Sequence, residues 1–307
     1  MTAYLLKRVA GIIVLAFGIS VAVFLIIRLV PGNPAISILG TSAGNPALVA
    51  RLEHQLGLDQ PVYVQYGKWI GGVLQGNFGY SYSQQLPVST LLGDNIWPTV
   101  ELTLAGMVLT VVFGMVLGVA AAIKRNTAVD TVSMGVSLTF LSLPGFWLGL
   151  VLLVIFAVQL HWFQVVGGTG FKGLILPAVT LAFGGIGFTA RFVRSAVIEA
   201  MRQQYVVTSR AKGLSRYAVL VRHVIRNSLL PVLTIVGLQT GNLLSGAVIV
   251  ETVFSRPGLG QLLVTAILGK DYETVQAAVL IIALMYAAVN FVVDILYPIL
   301  DPRVAYR

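Results

Sequence analysis

The chain has no cysteine and little charge. Of its 307 residues only 10% are Asp, Glu, Lys or Arg, where a soluble domain carries about a quarter. Without cysteine there is no disulfide framework, no thiolate metal site and no thiol nucleophile. Only three histidines are present, none paired at ligand spacing, so a metal cage has no basis. A phosphate-cradling Gly-Lys-Ser/Thr step is missing: Gly67-Lys68 is followed by Trp69, and Gly269-Lys270 by Asp271. There is no serine nucleophile elbow and no His-Glu-x-x-His pattern. Bond chemistry and ATP hydrolysis by this chain are therefore not expected, and it carries no cofactor signature.

What is abundant is apolar surface. Hydrophobic residues make up 57% of the chain and the mean hydropathy is +0.90. The solvent is mostly lipid. A bilayer crossing takes about 20 apolar residues, and six windows qualify: 9–30, 100–123, 133–158, 174–192, 229–250 and 275–299. They must be helices, because open strands in lipid leave backbone groups unpaired. The expected fold class is all-α, a polytopic membrane protein with six transmembrane helices. The first window is too long for a secretory signal, and Pro31-Gly32-Asn33-Pro34 stands where small cleavage-site residues belong. It is expected to remain as a helix.

The net charge of +9 could point to nucleic acid, but its placement gives another reason. With the N-terminus inside, fourteen of the twenty Lys and Arg fall on the cytoplasmic side. That is the positive-inside pattern. Both termini are then cytoplasmic, and no nucleic-acid partner is needed. Glu101 and Asp294 look isolated at opposite ends of their helices, and Arg28 is expected to snorkel to the headgroups. A carrier driven by an ion gradient normally holds paired ionisable groups in its spans; none is visible.

Two polar regions interrupt the spans. The segment 31–97 is too long for a turn and is expected to form a small cap on the outer face. Within it, 45–58 has helical spacing, with Leu48, Leu52 and Leu56 on one face and Gly57 as a stop. The Gly- and Tyr-rich stretch 71–83 reads as ordered turns. The second region, 194–228, holds most of the eight basic residues found between Arg191 and Arg226. Residues 193–202 can continue the fourth helix out of the membrane. Residues 215–226 can form a further short helix with Ser215 as N-cap. Gly213 lies at the break, where a positive φ or a close backbone approach suits glycine. Two readings stay open from composition: a segment gripped by a cytoplasmic partner, or a basic amphipathic strip lying on anionic lipid.

Small residues recur four apart at Gly114/Gly118, Gly145/Gly149 and Gly237/Gly241, a spacing that allows close helix contact. The fifth window adds Gln239, Asn242 and Ser245, with Asn242 and Ser245 on one face. Polar groups at that depth line a watery path or bond between helices, and both remain possible.

The polar loop, through Ser209-Arg210-Ala211-Lys212-Gly213-Leu214-Ser215 and on to Leu229-Leu230-Pro231, resembles the EAA loop of ABC importer permeases. It is most similar to the dipeptide/oligopeptide/nickel group. The likeness covers nearly the whole chain: Val30-Pro31-Gly32-Asn33-Pro34 at the exit of the first helix, Leu56-Gly57-Leu58-Asp59-Gln60-Pro61, Gly76-Asn77-Phe78-Gly79, Ser142-Leu143-Pro144-Gly145-Phe146, and Glu251 through Gly260. The large insertion after the first helix looks like the B-type subunit, dipeptide permease B being the familiar kind. One departure stands out. Gly213 lies 14 residues after Glu199 and Pro231 a further 18 on, so Glu199 is not the equivalent of the general motif's glutamate.

The resemblance implies a type I ABC importer permease fold, organised as 1–30, an insertion 31–97 and a five-helix core 98–307 with a coupling loop at 194–228. It implies a heterodimer with a homologous second permease, two cytoplasmic ATPase subunits that hold ATP and Mg, an extracytoplasmic substrate-binding protein, and a bacterial cytoplasmic (inner) membrane. It places ATPase coupling at Glu199, Ser209, Arg210, Ala211, Lys212, Gly213, Leu214 and Ser215. The implied solute is a di- or oligopeptide, with nickel chelate, glutathione or haem as alternatives in the same architecture. The other classes are an ion-gradient carrier or channel, and a membrane scaffold or sensor.

Overall fold

A computed structural model describes residues 2–29, 33–165 and 170–300. Most of them are helical. The chain divides into two compact units, Met1–Thr99 with Pro257–Ala287, and Val100–Arg256 with Ala288–Arg307.

In the first unit α1 (Thr2–Leu29) is the first apolar span. Two short helices follow, α2 (Pro34–Leu39) and α3 (Pro46–Leu56), each started by an asparagine whose side chain accepts the second helical N–H: Asn33 from Ala35 and Asn45 from Ala47. The expected stop at Gly57 is real, with φ +66° and its N–H on the Glu53 and His54 carbonyls. The expectation of turns over 71–83 holds from residue 75 onward, but residues 71–74 are the end of a helix, α4 (Val62–Leu74), that the sequence did not suggest. Its glycines disfavour helix, but packing prevails: Tyr66 and Trp69 lie edge-on and tilted against Phe24 of α1, ring centroids 5.2 and 5.7 Å away. Arg28 does not simply seek headgroups. Its Nε and Nη2 donate to Gln65 Oε1 of α4 at 3.2 and 2.7 Å. A two-residue hairpin, β1 (Tyr80–Ser81) with β2 (Leu86–Pro87), is antiparallel with Ser81 opposite Leu86. It is tied to the turn before α13 by Asp271, which accepts from Ser81 and Ser83, and by Glu273, which accepts from the Tyr80 N–H.

The second long helix, α5 (Val88–Ile123), begins inside the segment assigned to the cap and runs 36 residues through Pro98. The third window does not form one straight span. It breaks into α6 (Ala128–Ser142) and α7 (Gly145–Leu152), the latter passing into a π-helical stretch Leu153–Gln159, and the two parts are bent by 100°. Pro144 is the cause: it lacks an N–H, and it drives Leu143 out of the helical region to φ −85°, ψ 129°. The helix α8 (Gly170–Met201) contains the fourth window and extends beyond it as expected. The helix α11 (Arg226–Val253) covers the fifth, about 42 Å long at 1.5 Å per residue. After it come α12 (Leu259–Leu268) and α13 (Tyr272–Leu300). By length and apolarity alone, four described helices, α1, α5, α8 and α13, can cross a membrane, or five if the bent pair α6–α7 counts as one span.

Within the second unit α5, α6 and α11 all pack on α8. Gly114 and Gly118 explain how α5 approaches so closely. A Cβ on Gly114 would sit 2.6 Å from Thr189 Cβ, and one on Gly118 would sit 2.6 Å from the Ala190 carbonyl oxygen. The pair thus serves packing within the chain. The apolar core here centres on Leu102, Leu176, Leu181, Leu243 and Phe254. Glu101 is not isolated. Its Oε2 accepts from Arg256 Nη2 at 2.7 Å, and Arg256 is nearly buried while Glu101 is half-open.

Gly118→Val has no room to relax, because the obstacle is backbone on α8. Overpacking of this kind costs about 1–3 kcal/mol. The detergent-solubilised protein is expected to melt at lower temperature, while Gly135→Val, with nothing within 4 Å of its Cβ position, melts as the parent does.

Candidate functional site

The polar loop folds into a stiff projection. The helix α8 ends at Met201, and its last carbonyls, Glu199 and Ala200, accept from the N–H groups of Arg202 and Gln203 at 3.0 and 3.2 Å. A short helix α9 (Gln204–Ala211) follows. Gly213 then turns the chain with φ +81°, its N–H on the Arg210 carbonyl at 2.9 Å and the Leu214 N–H on the Ser209 carbonyl at 3.3 Å. Ser215 caps the next helix as its sequence suggests: its Oγ accepts from Ala218 N–H at 3.2 Å. That helix, α10 (Arg216–Val219), does not stop as a separate piece. It passes through a π-helical stretch, Leu220–Ile225, straight into α11, with Leu220 and Ile225 both right-handed helical. The expected short helix at 215–226 is the near end of a continuous rod from 216 to 253.

Of the two reasons offered for Gly213, the structure selects the backbone one. Nothing lies within 4 Å of its Cβ position, so only the left-handed φ demands glycine, worth about 1–2 kcal/mol for an L-residue. Residues 210–217 are all exposed. Leu214 and Tyr217 stand open beside Arg210, Lys212 and Arg216. Six of the eight residues assigned to coupling, Arg210 to Ser215 with Gly213 at the apex, therefore form one exposed knuckle. Ser209 supports it through its carbonyl. Glu199 stands apart on the last turn of α8.

The knuckle rests on a buried base. Val206 of α9, Val219 of α10 and Val224 pack with Val193, Val197, Val232 and Ala122. A second fastening was not legible from sequence. Arg194 on α8 grips Asp130 in the first turn of α6 with two parallel bonds, Nε to Oδ1 at 2.6 Å and Nη2 to Oδ2 at 2.7 Å. Asp130 Oδ2 also accepts from the Asn126 N–H at 3.0 Å. Fork-on-carboxylate geometry fixes orientation as well as distance.

The polar trio of the fifth window is split. Gln239 and Asn242 line a cavity of about 700 Å³ in the second unit, with Phe140, Phe146, Phe183 and Phe188 on its walls. Asn242 Nδ2 donates to Gln239 Oε1 at 2.9 Å, so its bond stays on its own helix. Ser245 is exposed and does not line the cavity. A different cavity, of about 820 Å³, lies in the first unit, where Arg28, Glu53, Lys68, Tyr82 and Glu273 give its wall both signs of charge. Burial pushes the Tyr82 phenol up, and nearby Glu273 adds to the shift. On the same wall Asp59 is held below its ordinary range by its bond to His54. No cluster of three or more His, Cys, Asp or Glu that could hold a metal occurs among the described residues.

Removing either Arg194 or Asp130 leaves the other without its partner. Arg194→Ala and Asp130→Ala are each expected to lower the melting temperature and loosen the knuckle to protease. The exchanged pair, Asp130→Arg with Arg194→Asp, should recover about half of the loss if the two act as a unit. No recovery in the double variant would separate them.

Comparison with known proteins agrees with this architecture. Residues 114–306 match the model of the family described as binding-protein-dependent transport system inner membrane component. Residues 1–103 match that family's N-terminal component. The chain is 42% identical over 304 residues to the glutathione transport system permease protein GsiC of Salmonella choleraesuis (strain SC-B67), with 99% of each chain covered. Against the protein of that name from Escherichia coli K12 it is 40% identical over the same span and coverage. Among solved structures, an inward-facing MetNI methionine ABC transporter aligns with TM-score 0.59 at 18% identity, over 69% of this chain and 96% of the other. An amino acid ABC transporter crystallised with histidines aligns with TM-score 0.52 at 15% identity, over 70% and 94%. These two speak for the fold alone. The chain belongs to the binding-protein-dependent transport system inner membrane components, the membrane-spanning permeases of ABC importers.

Proposed function

We propose that this permease imports short peptides, glutathione among them, as one half of a pathway completed by a homologous second permease. Two cytoplasmic ATPases grip the coupling segments of the pair, in this chain the knuckle at residues 209–215, and an extracytoplasmic binding protein delivers the solute. The observation that carries the reading is mechanical. An exposed turn at Gly213 leads through Leu214 and the Ser215 cap into a helix that runs unbroken from Arg216 into α11, whose Gln239 and Asn242 line a cavity. A push on the knuckle is thereby delivered to the cavity wall as a rigid-body movement. The basic residues lie on the knuckle's side of the rod, and the positive-inside pattern puts that side, and both termini, in the cytoplasm. The segment 31–97 serves as an outer cap. The membrane is the bacterial inner membrane, and ATP with Mg is held by the partner subunits.

Solute identity is drawn from two sources: the group resemblance, which implies peptides, and the full-length relatives named for glutathione transport. Glutathione is itself a tripeptide, so one substrate class serves both. In proteoliposomes holding the complete transporter, peptide-loaded binding protein is expected to stimulate ATP hydrolysis and drive uptake that survives collapse of the proton gradient. Stimulation by a nickel chelate or haem, with none by peptide, would keep the machine and replace its cargo. Uptake that persists without ATP and stops when the gradient collapses would favour an ion-driven carrier and defeat the proposal.

Gly213→Arg forces a bulky residue into a left-handed turn at the gripped surface. It is expected to abolish uptake and binding-protein-stimulated ATP hydrolysis while the chain still inserts in the membrane. Transport at the parent rate would remove coupling from the knuckle.

A further inference from the structure

We infer that the cavity beside Gln239 and Asn242 receives the peptide group itself, as a neutral amide, and is indifferent to the net charge of the solute. The inference rests on the peptide reading above and adds to it which part of a peptide is recognised. Nineteen described residues line this cavity, and not one has an ionisable side chain. Its wall is aromatic and aliphatic apart from Thr180, Gln239, Asn242 and glycine backbone. The Thr180 hydroxyl is already committed, donating to the Leu176 carbonyl at 2.8 Å. Its oxygen can still accept, but the side-chain donors that remain among the described lining residues belong to the two carboxamides.

Their mutual bond uses one N–H of Asn242 and one lone pair of Gln239. It leaves the Asn242 carbonyl and the Gln239 amino group with no partner among the described residues. An acceptor and a donor thus stand free, three residues apart on one helix face. A peptide group needs that combination: an acceptor for its N–H and a donor for its carbonyl oxygen. Exchanging O and N in both carboxamides leaves one donor and one acceptor free again, so the match does not depend on how they are assigned.

The absence of charge follows from what a pathway must do. A fixed carboxylate or ammonium in a low-dielectric wall holds solutes of opposite sign and turns away those of like sign. Passage requires binding that is firm enough for entry and weak enough for exit. Peptides differ in side-chain charge but share the amide. A wall that reads the amide and carries no charge accepts anionic, neutral and cationic peptides alike. Discrimination by charge then belongs elsewhere in the transporter.

The test introduces the missing charge. The complete transporter, carrying Asn242→Asp, is reconstituted with saturating binding protein loaded with Lys-Ala, Ala-Ala or Glu-Ala. Uptake is followed together with ATP hydrolysis, and each is expressed relative to the parent. The ratio of Lys-Ala to Glu-Ala uptake is expected to rise about tenfold, while the neutral variant Asn242→Thr leaves that ratio where the parent has it. If Asn242→Asp fails to assemble, Ile249→Glu, on the same wall and exposed, is expected to shift the ratio in the same direction. An unchanged ratio in the assembled acidic variant overturns the inference, and so does an equal shift in Asn242→Thr. If no peptide of any charge stimulates the parent complex, the peptide reading has failed and this inference falls with it. Transport of all three peptides by the parent, with a ratio that the new charge does not move, sinks this inference alone.

Discussion

A lever transmits force only if its fulcrum does not give. Here the fulcrum is a knot of β-branched side chains: Val193 and Val197 on α8, Val206 on α9, Val219 and Val224 at the head of the rod, and Val232 on α11. Each is stiff at χ1, and together they exclude water beneath the polar loop at 194–228. The left-handed Gly213 can then stand fully exposed, with nothing near its Cβ position, and still be held. The Arg194–Asp130 fork fastens the same region to α6. Without that base, the α9–α10 segment would be a basic strip free to lie on lipid, which was the rival reading of its composition.

The two cavities divide along chemical lines. In the first unit the wall mixes Arg28, Lys68, Glu53 and Glu273 with aromatic rings, which suits recognition of polar surfaces. The other, in the second unit, has carboxamides and no charged side chain among its described lining residues, which suits passage. A transporter whose selectivity lies with a delivering protein needs little discrimination in its channel, and the neutral wall is consistent with that arrangement.

Much of this was legible in the sequence. Leucine spacing marked α3 and Gly57 its stop, Ser215 marked a cap, and Gly213 marked a turn, because stops, caps and left-handed positions are local chemistry. Apolar run length located the spans but was blind to direction, so the bend at Pro144 was hidden inside one window although Leu143-Pro144 carries the signal for it. The helix α4 was missed because Gly67, Gly71 and Gly72 argue against helix locally. It forms because Tyr66 and Trp69 find Phe24, a contact of long sequence separation that propensity cannot register. The pairs Arg194–Asp130 and Arg256–Glu101 were out of reach for the same reason. Their partners lie 64 and 155 residues apart, and only the packing of α5, α6 and α11 around α8 brings such groups together. The split of Gln239 and Asn242 from Ser245 likewise needed the cavity to be seen.

The lack of cysteine opens a direct test of the central claim, that the knuckle is the surface gripped by the ATPases. Ser215→Cys would supply the one thiol in this chain, on an exposed position. Its labelling by a water-soluble maleimide should be compared in membranes holding the permease pair alone and in membranes holding the complete transporter. The account predicts labelling at least about tenfold slower once the ATPases are bound, since a buried interface core excludes water. Equal labelling rates in the two preparations, with the ATPases shown to be present in stoichiometric amount, would contradict it.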